Sequence, residues 1–178
     1  MKIITGEYGG RRFDPPRNLQ ARPTTDLAKQ ALFNILQCRF DIEGCRALDL
    51  FSGTGSISFE LLSRGASHVT SVEMGRQQQQ FIQHVAEQLR VPRDRHQLVR
   101  GDVFRFLSGH PVAGPLDFIF ADPPYRDGLY GEIISLCLPL LKADGVLILE
   151  HASEDPLPEA DETRAYGSRS LSFIGGKL

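Results

Sequence analysis

The chain has 178 residues, of which 41% are apolar, and a formal net charge of −2. This length is typical of one compact domain, and the balance of charge excludes general attraction to nucleic acid or anionic lipid unless basic residues are grouped locally. The longest apolar runs, 118–121 and 146–149, are far shorter than the about 20 residues of a membrane-spanning helix. The cysteines at 38, 45 and 137 form neither a metal-ligand pair nor an even disulfide set. We expect a soluble, cytoplasmic protein that forms a single domain over 1–178.

The front of the chain predicts a small hairpin and a helix. Residues 2–4 and 11–13 flank the turn Gly-Glu-Tyr-Gly-Gly, and Arg22-Pro-Thr-Thr-Asp is typical of a helix start that leads into a helix over 27–37. Up to residue 30, this segment has six basic and three acidic residues. Basic charge is therefore concentrated at the front of the chain.

Residues 46–150 alternate between short apolar runs and stretches of helical period. This alternation predicts an α/β fold, in which helices cover a parallel sheet. The predicted strands are 46–51, 68–73, 97–100, 117–121 and 145–150, and the predicted helices are 55–64, 76–90, 103–107 and 130–141. Two extended pieces at 163–166 and 171–174, separated by Gly167-Ser168, predict a hairpin that closes the sheet antiparallel. The run 77–80, four glutamines, is interpreted as the solvent-facing side of a helix.

The strongest local motif is Asp49-Leu-Phe-Ser-Gly-Thr-Gly, in which a strand enters two glycines and then a helix. Gly53 and Gly55 allow a tight turn and the close approach of a ligand, and the helix start offers unpaired N–H groups. Glu73 ends the next strand, where a carboxylate is well placed to accept hydrogen bonds from two ribose hydroxyls. The motif indicates a small-molecule cradle; the alternative is an ordinary tight turn followed by a surface acid.

Enzymes that bind a nicotinamide dinucleotide and enzymes that bind S-adenosylmethionine share this layout. Ser58 stands where the dinucleotide fingerprint has Gly or Ala, and Asp49 would repel a pyrophosphate but not a cationic sulfonium. Both residues favour S-adenosylmethionine. Asp102, which precedes Val103 after the third strand, is placed to accept from an adenine amino group, and it also suits the N-cap of the following helix.

The motif Asp122-Pro123-Pro124-Tyr125 follows the fourth strand. Its prolines remove two N–H donors and stiffen the chain, which leaves the Pro123 carbonyl beside the Asp122 carboxylate. Two acceptors that face one point suit an exocyclic amine on a base, because accepting both N–H bonds draws the nitrogen toward tetrahedral geometry and aims its lone pair at a methyl group. Tyr125 supplies a ring on which a base can stack. The alternative is a rigid turn without a catalytic role.

These motifs resemble those of class I S-adenosylmethionine-dependent methyltransferases that modify exocyclic amines. The front segments 3–12, 22–26 and 32–34 are similar to the bacterial 16S ribosomal RNA guanine-N2 methyltransferase family, and this resemblance covers nearly the whole chain. The chain departs from the usual residues of that family at Leu27, Lys29, Gln30 and Val85.

The resemblance implies a Rossmann-like, seven-stranded enzyme that methylates the N2 amine of a guanine in small-subunit ribosomal RNA, free or within an assembling particle. It implies an RNA-binding extension over 1–44 and a catalytic core over 45–178, with no membrane or metal partner. The implied cofactor-binding residues are Asp49, Phe51, Gly53, Gly55, Glu73, Asp102 and Val103. The implied catalytic residues are Asp122, Pro123, Pro124 and Tyr125. The candidates for phosphate contacts, for each of which a solvated charge is the alternative, are Arg11, Arg12, Arg17 and Arg22.

Three alternatives remain at this point. A DNA adenine methyltransferase uses the same four-residue motif, but it normally needs an added target-recognition domain for which 178 residues leave no room. A nicotinamide oxidoreductase is disfavoured by Asp49, by Ser58 and by the lack of a Tyr-x-x-x-Lys relay. A non-catalytic RNA-binding domain of the same fold would differ from both enzymes by binding neither S-adenosylmethionine nor NAD.

Overall fold

A computed structural model describes residues 1–17, 19, 25–109, 112, 114–124 and 129–176. The helices are α1 (Asp26–Arg39), α2 (Ser56–Ser63), α3 (Arg76–Leu89), α4 (Val103–Gly109) and α5 (Leu129–Cys137), which a 3-10 turn (Leu138–Leu140) follows. The strands are β1 (Arg46–Leu50), β2 (His68–Glu73), β3 (His96–Arg100), β4 (Leu116–Ala121), β5 (Leu141–Ala152), β6 (Glu162–Tyr166) and β7 (Arg169–Gly175). No helix in these ranges is both long and apolar enough to cross a bilayer.

Within the described ranges, the seven strands form one sheet in the order β3-β2-β1-β4-β5-β7-β6. Strands β1 to β5 are parallel, and β7 pairs antiparallel with both β5 and β6. The predicted α/β class, the seven strands and the antiparallel closing hairpin are confirmed. Because β1 lies between β2 and β4, the chain reverses its direction across the sheet at this point, and open α/β sheets bind their ligands beside such a reversal.

Apolar side chains from alternate strand positions pack on opposite faces of the sheet. Ala47 of β1 belongs to the cluster beneath α1, α2 and α3, whereas its neighbour Leu48 belongs to the cluster beneath α4 and α5. The two layers of helices leave the carboxyl edge of the parallel strands open, and this edge is where the loops predicted to bind a ligand lie.

The predicted helix over 130–141 extends too far. Helix α5 ends at Cys137, and the chain makes the 3-10 turn before β5 begins at Leu141. Pro139 accounts for the difference, because proline lacks an N–H donor and disfavours the α conformation in the residue before it. Strand β5 is correspondingly longer than the predicted 145–150.

The front segment packs against α2 and contributes to the apolar cluster on that side of the sheet. The predicted hairpin is present as a bridge between Lys2 and Arg12, and the Ile3 N–H donates to the Arg11 carbonyl at 3.0 Å. The side chain of Ile3 is fully buried in the same cluster as the apolar side of α1. Helix α1 begins after Thr25, whose hydroxyl accepts from the Ala28 N–H at 3.2 Å, as the sequence signal predicts.

Lys29 of α1 is buried, although it contributes to the basic charge counted at the front of the chain. Its Nζ lies 3.4 Å from a carboxylate oxygen of the buried Glu60 and donates to the Ser56 hydroxyl at 2.9 Å and to the Lys2 carbonyl. Burial lowers the pKa of Lys29, and Glu60 opposes this effect. This lysine therefore joins α1 to α2 and is not exposed at the basic surface of the front segment.

Candidate active site

A cavity of about 830 Å³ opens at the carboxyl edge of β1, β2 and β4. This volume is within the range of about 300–1,000 Å³ that is usual for small-molecule sites. The sequence-predicted residues that line the cavity are Asp49, Phe51, Gly53, Glu73, Asp102, Val103, Asp122, Pro123 and Pro124. Residues that are far apart in the sequence meet here because the carboxyl ends of parallel strands share one edge of the sheet. Tyr125 and Arg22 lie outside the described residues.

The two glycines of the β1–α2 loop have different roles. Both have positive φ, +56° at Gly53 and +74° at Gly55. A Cβ at Gly53 would meet open space, apart from the Phe51 carbonyl oxygen at 4.0 Å, so this position leaves room for a ligand. A Cβ at Gly55 would lie only 2.9 Å from the Phe59 ring and 3.2 Å from Ile82. Gly55 is not among the residues that line the cavity, and the space beside its Cα is filled by side chains of the core.

The apolar walls of the cavity come from the loops after β1 and β2 and from the first turn of α4. Phe51 has a φ of +57°, a strained conformation for a residue with a side chain and one that is concentrated at functional sites. Its ring meets the Phe104 ring edge to face, with centroids 6.3 Å apart. Met74, which sequence analysis missed, is 69% exposed and also lines the cavity. These side chains offer the flat apolar surfaces that a purine ring needs.

The carboxylate of Glu73 connects two loops of the site. It accepts from the Gly53 N–H at 2.8 Å through Oε2 and from the Gly75 N–H at 2.7 Å through Oε1. An ionised carboxylate has about four acceptor positions, so two remain for hydroxyl groups of a ligand. The position of Glu73 is consistent with its predicted role toward a ribose.

Asp49 is almost completely buried beneath the cavity. Its Oδ2 accepts from the Ser58 N–H at 3.1 Å and from the Ser58 hydroxyl at 2.5 Å. Burial raises the pKa of Asp49 to about 7, Ser58 opposes the rise, and the nearby Glu73 and Asp122 add to it. Among the described residues, no cationic side chain is hydrogen-bonded to Asp49, so its ionised form favours a positively charged ligand.

A chain of hydrogen bonds continues from Ser58 across β2 to the edge strand β3. The Ser58 hydroxyl lies 2.7 Å from the Ser71 hydroxyl, which lies 2.8 Å from Nε2 of His96. Burial lowers the pKa of His96 to about 4, so this imidazole is neutral at pH 7. The chain supplies Asp49 with hydrogen bonds but not with a positive charge.

Asp102 caps a helix and also lines the cavity. Its Oδ1 accepts from the Arg105 N–H at 2.9 Å, in the first turn of α4. The N-cap role predicted from the sequence is therefore correct. Since a carboxylate has further acceptor positions, the cap is compatible with the predicted contact to an adenine amino group.

The four glutamines of α3 do not all face solvent. Gln79 donates through Nε2 to the carbonyls of Glu73 and Met74, at 2.9 and 3.0 Å, and Gln78 lines the cavity. The interpretation as a solvent-facing side is correct for Gln77 and Gln80, which are exposed, and wrong for Gln78 and Gln79. Their position in the first turn of a helix that follows β2 is the signal that places them at the carboxyl edge.

Arg169 is a further site residue that sequence analysis missed. Its Nη2 lies 3.0 Å from Oδ1 of Asp122, and its Nη1 lies 2.8 Å from Oε1 of Glu150. Arg169 begins β7, and because β7 is antiparallel to β5, its first residue lies at the carboxyl end of β5. Burial raises the pKa of Asp122, and Arg169 opposes this rise.

The proposed phosphate contacts lie on the front segment. Arg11, Arg12 and Arg17 are exposed, and the guanidinium of Arg11 lies over the Phe13 ring, 5.7 Å from its centroid. The exposure of these three side chains leaves them accessible to a large anionic partner.

The donor and acceptor groups of the cavity fit S-adenosylmethionine better than a dinucleotide. Its lining combines apolar walls with four carboxylates, and among the described lining residues Arg169 is the one cation. A pyrophosphate would be repelled there, whereas a sulfonium and an ammonium group would be attracted. Together, the strand order and this site define an S-adenosylmethionine-dependent methyltransferase of the Rossmann-like class I.

Comparison with known proteins places the chain more narrowly. A family model described as conserved hypothetical protein 95 matches residues 1–173. Ribosomal RNA small subunit methyltransferase D of Escherichia coli K12 is 33% identical over 161 residues, which are 89% of this chain and 78% of the relative. The protein of the same name from Haemophilus influenzae is 30% identical over 180 residues, with 100% and 92% of the two chains covered. The chain belongs to the family that this model describes and that includes these two relatives, which confirms the family resemblance found in the sequence.

The fold comparison agrees with this assignment. The structure of a hypothetical protein of Thermus thermophilus matches with a TM-score of 0.84 and 26% identity, and the match covers 98% of this chain and 99% of the other. The likeness therefore includes the front segment as well as the seven-stranded sheet.

Proposed function

We propose that the chain transfers a methyl group from S-adenosylmethionine to the N2 amine of a guanine in small-subunit ribosomal RNA. The observation that carries this proposal is the Asp122 carboxylate, which lies with Pro123 at the wall of the cavity that suits the cofactor. The names of the relatives from E. coli and H. influenzae support ribosomal RNA of the small subunit as the substrate.

In this proposal the cofactor is held by carboxylates whose positions are fixed by hydrogen bonds within the protein. Glu73 accepts the ribose hydroxyls, Asp102 accepts from the adenine amino group, and Asp49 faces the cationic end. Phe51 and Val103 line the apolar walls. When bound, S-adenosylmethionine would supply a methyl group to a nucleophile, and the sulfonium would leave as the neutral thioether S-adenosylhomocysteine as the S–CH3 bond breaks.

Asp122 and the Pro123 carbonyl act on the target amine. The lone pair of an aromatic amine is delocalised into the ring, and the two acceptors each take one N–H bond, which concentrates the lone pair on nitrogen. As the nitrogen gains positive character during transfer, its N–H donors strengthen toward the Asp122 carboxylate. After the transfer, the nitrogen loses one proton to Asp122. Asp122 either keeps this proton or passes it to water.

The RNA is held in this proposal by the front segment. Arg11, Arg12 and Arg17 are exposed and suit contacts with phosphates, as expected of an RNA-binding extension over 1–44, whereas Lys29 is excluded by its burial. The guanine must leave its stacked position to reach Asp122, at a cost of about a few kcal/mol, which is lower for a base in a loop.

Methylation mapping tests the proposal. Small-subunit ribosomal RNA and small-subunit particles from cells that lack the gene are incubated with the purified protein and labelled S-adenosylmethionine, and the modified nucleoside is identified by mass spectrometry. We expect N2-methylguanosine at one position with the wild type and, over the same short incubation, about 10²-fold less or lower still with Asp122→Ala. Label in N6-methyladenosine, or equal labelling by both proteins, would overturn the proposal.

A further inference from the structure

We propose that Arg169 is the residue that orients the Asp122 carboxylate and holds it as a hydrogen-bond acceptor for the target amine. The inference rests on the proposed function, because it concerns the residue that acts on that amine. None of the sequence motifs includes Arg169, and its role follows from its contacts alone.

The guanidinium of Arg169 bridges two strands. Its Nη1 is 2.8 Å from Glu150 on β5, whose side chain is 2% exposed, and its Nη2 is 3.0 Å from Oδ1 of Asp122, which follows β4. The N–H groups of arginine lie in one plane. The contact with a buried Glu150 therefore also determines the direction in which Nη2 points. Because Arg169 engages Oδ1 of Asp122, we assign Oδ2 to the amine.

The charges around Asp122 make this cation necessary. Among the described residues that line the same cavity, the titratable side chains from β1, β2 and the turn before α4 are all acidic: Asp49, Glu73 and Asp102. Glu150 of β5 is acidic as well, and Arg169 of β7 is the one cation among the described lining residues. Burial raises the pKa of Asp122, and Arg169 opposes the rise.

Protonation of Asp122 would reverse its effect on the amine. An ionised carboxylate only accepts hydrogen bonds, whereas a protonated one has an O–H donor. That donor would compete for the amine lone pair, which must attack the methyl group. Arg169 is thus a positioning residue that acts through Asp122, and its loss should move the pH at which the site becomes active.

A purely structural role is a weaker explanation of this contact. Strand β7 is already held against β5 by seven residue pairs, from Val146 with Gly175 to Ala152 with Arg169. The backbone pairing does not need the Arg169 side chain. A structural role would also leave the acidic limb of the pH–rate profile in place once the variant has folded, whereas a role through Asp122 moves it.

The first test needs no RNA. The side-chain carboxyl of Asp122 is titrated by carbon-13 NMR in the free protein, with Asp122→Asn identifying its signal. In Arg169→Gln we expect the pKa of Asp122 to rise by about 1 to 3 pH units, the usual effect of removing a close cation. Arg164→Gln is the matched control, because Arg164 lies on β6 of the same hairpin, is 52% exposed and pairs with Glu162. An unchanged titration in Arg169→Gln would overturn the proposal.

A second variant covers the case in which Arg169→Gln does not fold, since it leaves the buried Glu150 without this cation. The double variant Arg169→Gln/Glu150→Gln removes that charge as well. We expect a rise in the pKa of Asp122 here too. Arg169 contacts Asp122 directly, whereas Glu150 contacts the other nitrogen of the guanidinium, so losing the cation should have the larger effect on Asp122. An unchanged or lowered pKa would contradict the proposal.

The second test measures single-turnover methyl transfer against pH at saturating S-adenosylmethionine. In Arg169→Gln the acidic limb of the profile should move to higher pH by the same interval as the pKa of Asp122 in the NMR titration. The acidic limb of Arg169→Lys should lie between those of Arg169→Gln and the wild type. A lower rate at every pH with an unmoved limb would overturn the proposal. Absence of transfer by the wild type would refute the proposed function, whereas the NMR titration would still decide whether Arg169 controls Asp122.

Discussion

Ser58 donates two hydrogen bonds to the same oxygen of Asp49, one from its N–H at 3.1 Å and one from its hydroxyl at 2.5 Å. These bonds do not offset the burial of the carboxylate, because burial still raises the pKa of Asp49 to about 7. The floor of the cofactor cavity therefore holds a group whose charge changes near neutral pH. Both the stability of the protein and its affinity for a cationic ligand should depend on this group.

Asp49→Asn should change how stability depends on pH. The pKa of Asp49 is about 7 in the folded protein, above the ordinary value of 3.8 for an aspartate, so the folded state binds the proton more tightly. The free energy of unfolding contributed by this group should fall as the pH rises from about 4 to about 7, by up to about 4 kcal/mol. Asn retains an oxygen that accepts from Ser58 and does not titrate. Chemical denaturation across this interval should give a smaller decrease for the variant, and equal decreases would refute the assignment.

Ser58→Ala should weaken S-adenosylmethionine binding near neutral pH. The substitution keeps the hydrogen bond from the backbone N–H to Asp49 and removes the one from the hydroxyl. Because the hydroxyl bond stabilises the ionised carboxylate, its loss should raise the pKa of Asp49 further. A hydrogen bond to a charged group contributes about 1.5 to 3 kcal/mol, so we expect binding weakened by about 10-fold or more at pH 7. The difference in affinity for S-adenosylmethionine between Ser58→Ala and the wild type should become smaller as the pH rises from about 6 to about 8, because Asp49 ionises in both proteins at higher pH.

Calorimetry at several pH values checks this expectation, and Ser71→Ala is the control. Ser71 contacts the Ser58 hydroxyl but not Asp49, so its loss leaves both bonds to the carboxylate in place. An affinity in Ser58→Ala that equals that of Ser71→Ala at every pH would show that the hydroxyl bond does not act through Asp49.

Glu73→Ala should weaken S-adenosylmethionine binding about 10- to 100-fold, since two ribose hydroxyls would lose an ionised acceptor worth roughly 1.5 to 3 kcal/mol. The substitution also removes the contacts that Glu73 makes with the Gly53 and Gly75 N–H groups. Glu87→Ala, on the exposed side of α3, is the matched control. Titration of the folded variants decides the matter, and an unchanged dissociation constant for Glu73→Ala would mean that the ribose assignment is wrong.

Neutralising Arg11, Arg12 and Arg17 together should raise the apparent substrate constant and reduce its dependence on salt, because phosphate contacts release counterions. Affinity for S-adenosylmethionine should not change, since these residues do not line the cavity. A variant that neutralises Arg90, Arg93 and Arg164, which are exposed outside the front segment, removes the same number of charges and controls for net charge. Equal salt dependence in the wild type and the triple variant would exclude the front segment as the phosphate-binding surface.

Much of the fold could be predicted because its signals are local. Alternating apolar runs mark the strands, and parallel strands bring their carboxyl ends to one edge, so Asp49, Glu73, Asp102 and Asp122 meet as the motifs require. Each of these residues lies within two positions of the carboxyl end of a strand, and its place in the site depends only on its own strand.

Arg169 could not be predicted in this way. It begins a strand, and only the antiparallel pairing of β7 with β5 brings its side chain to Asp122. The ion pair of Lys29 with Glu60 likewise depends on how α1 packs on α2, since 31 positions separate the residues. Such contacts arise from tertiary packing, which hydrophobic period and motif spacing do not encode.

Asp122→Ala separates orientation of the amine from simple binding of RNA. Because Asp122 is proposed to act mainly in the transition state, its loss should reduce methyl transfer by about 10²-fold or more, the usual cost of about 3 kcal/mol for one missing oriented group. Binding of S-adenosylmethionine should change by only a few-fold, since the contacts assigned to the cofactor come from β1, β2 and the turn before α4. Single-turnover rates at saturating cofactor and RNA measure the first effect, and calorimetry measures the second. If Asp122→Ala methylates at the wild-type rate, Asp-Pro-Pro is only a rigid turn in this chain and the mechanism is wrong.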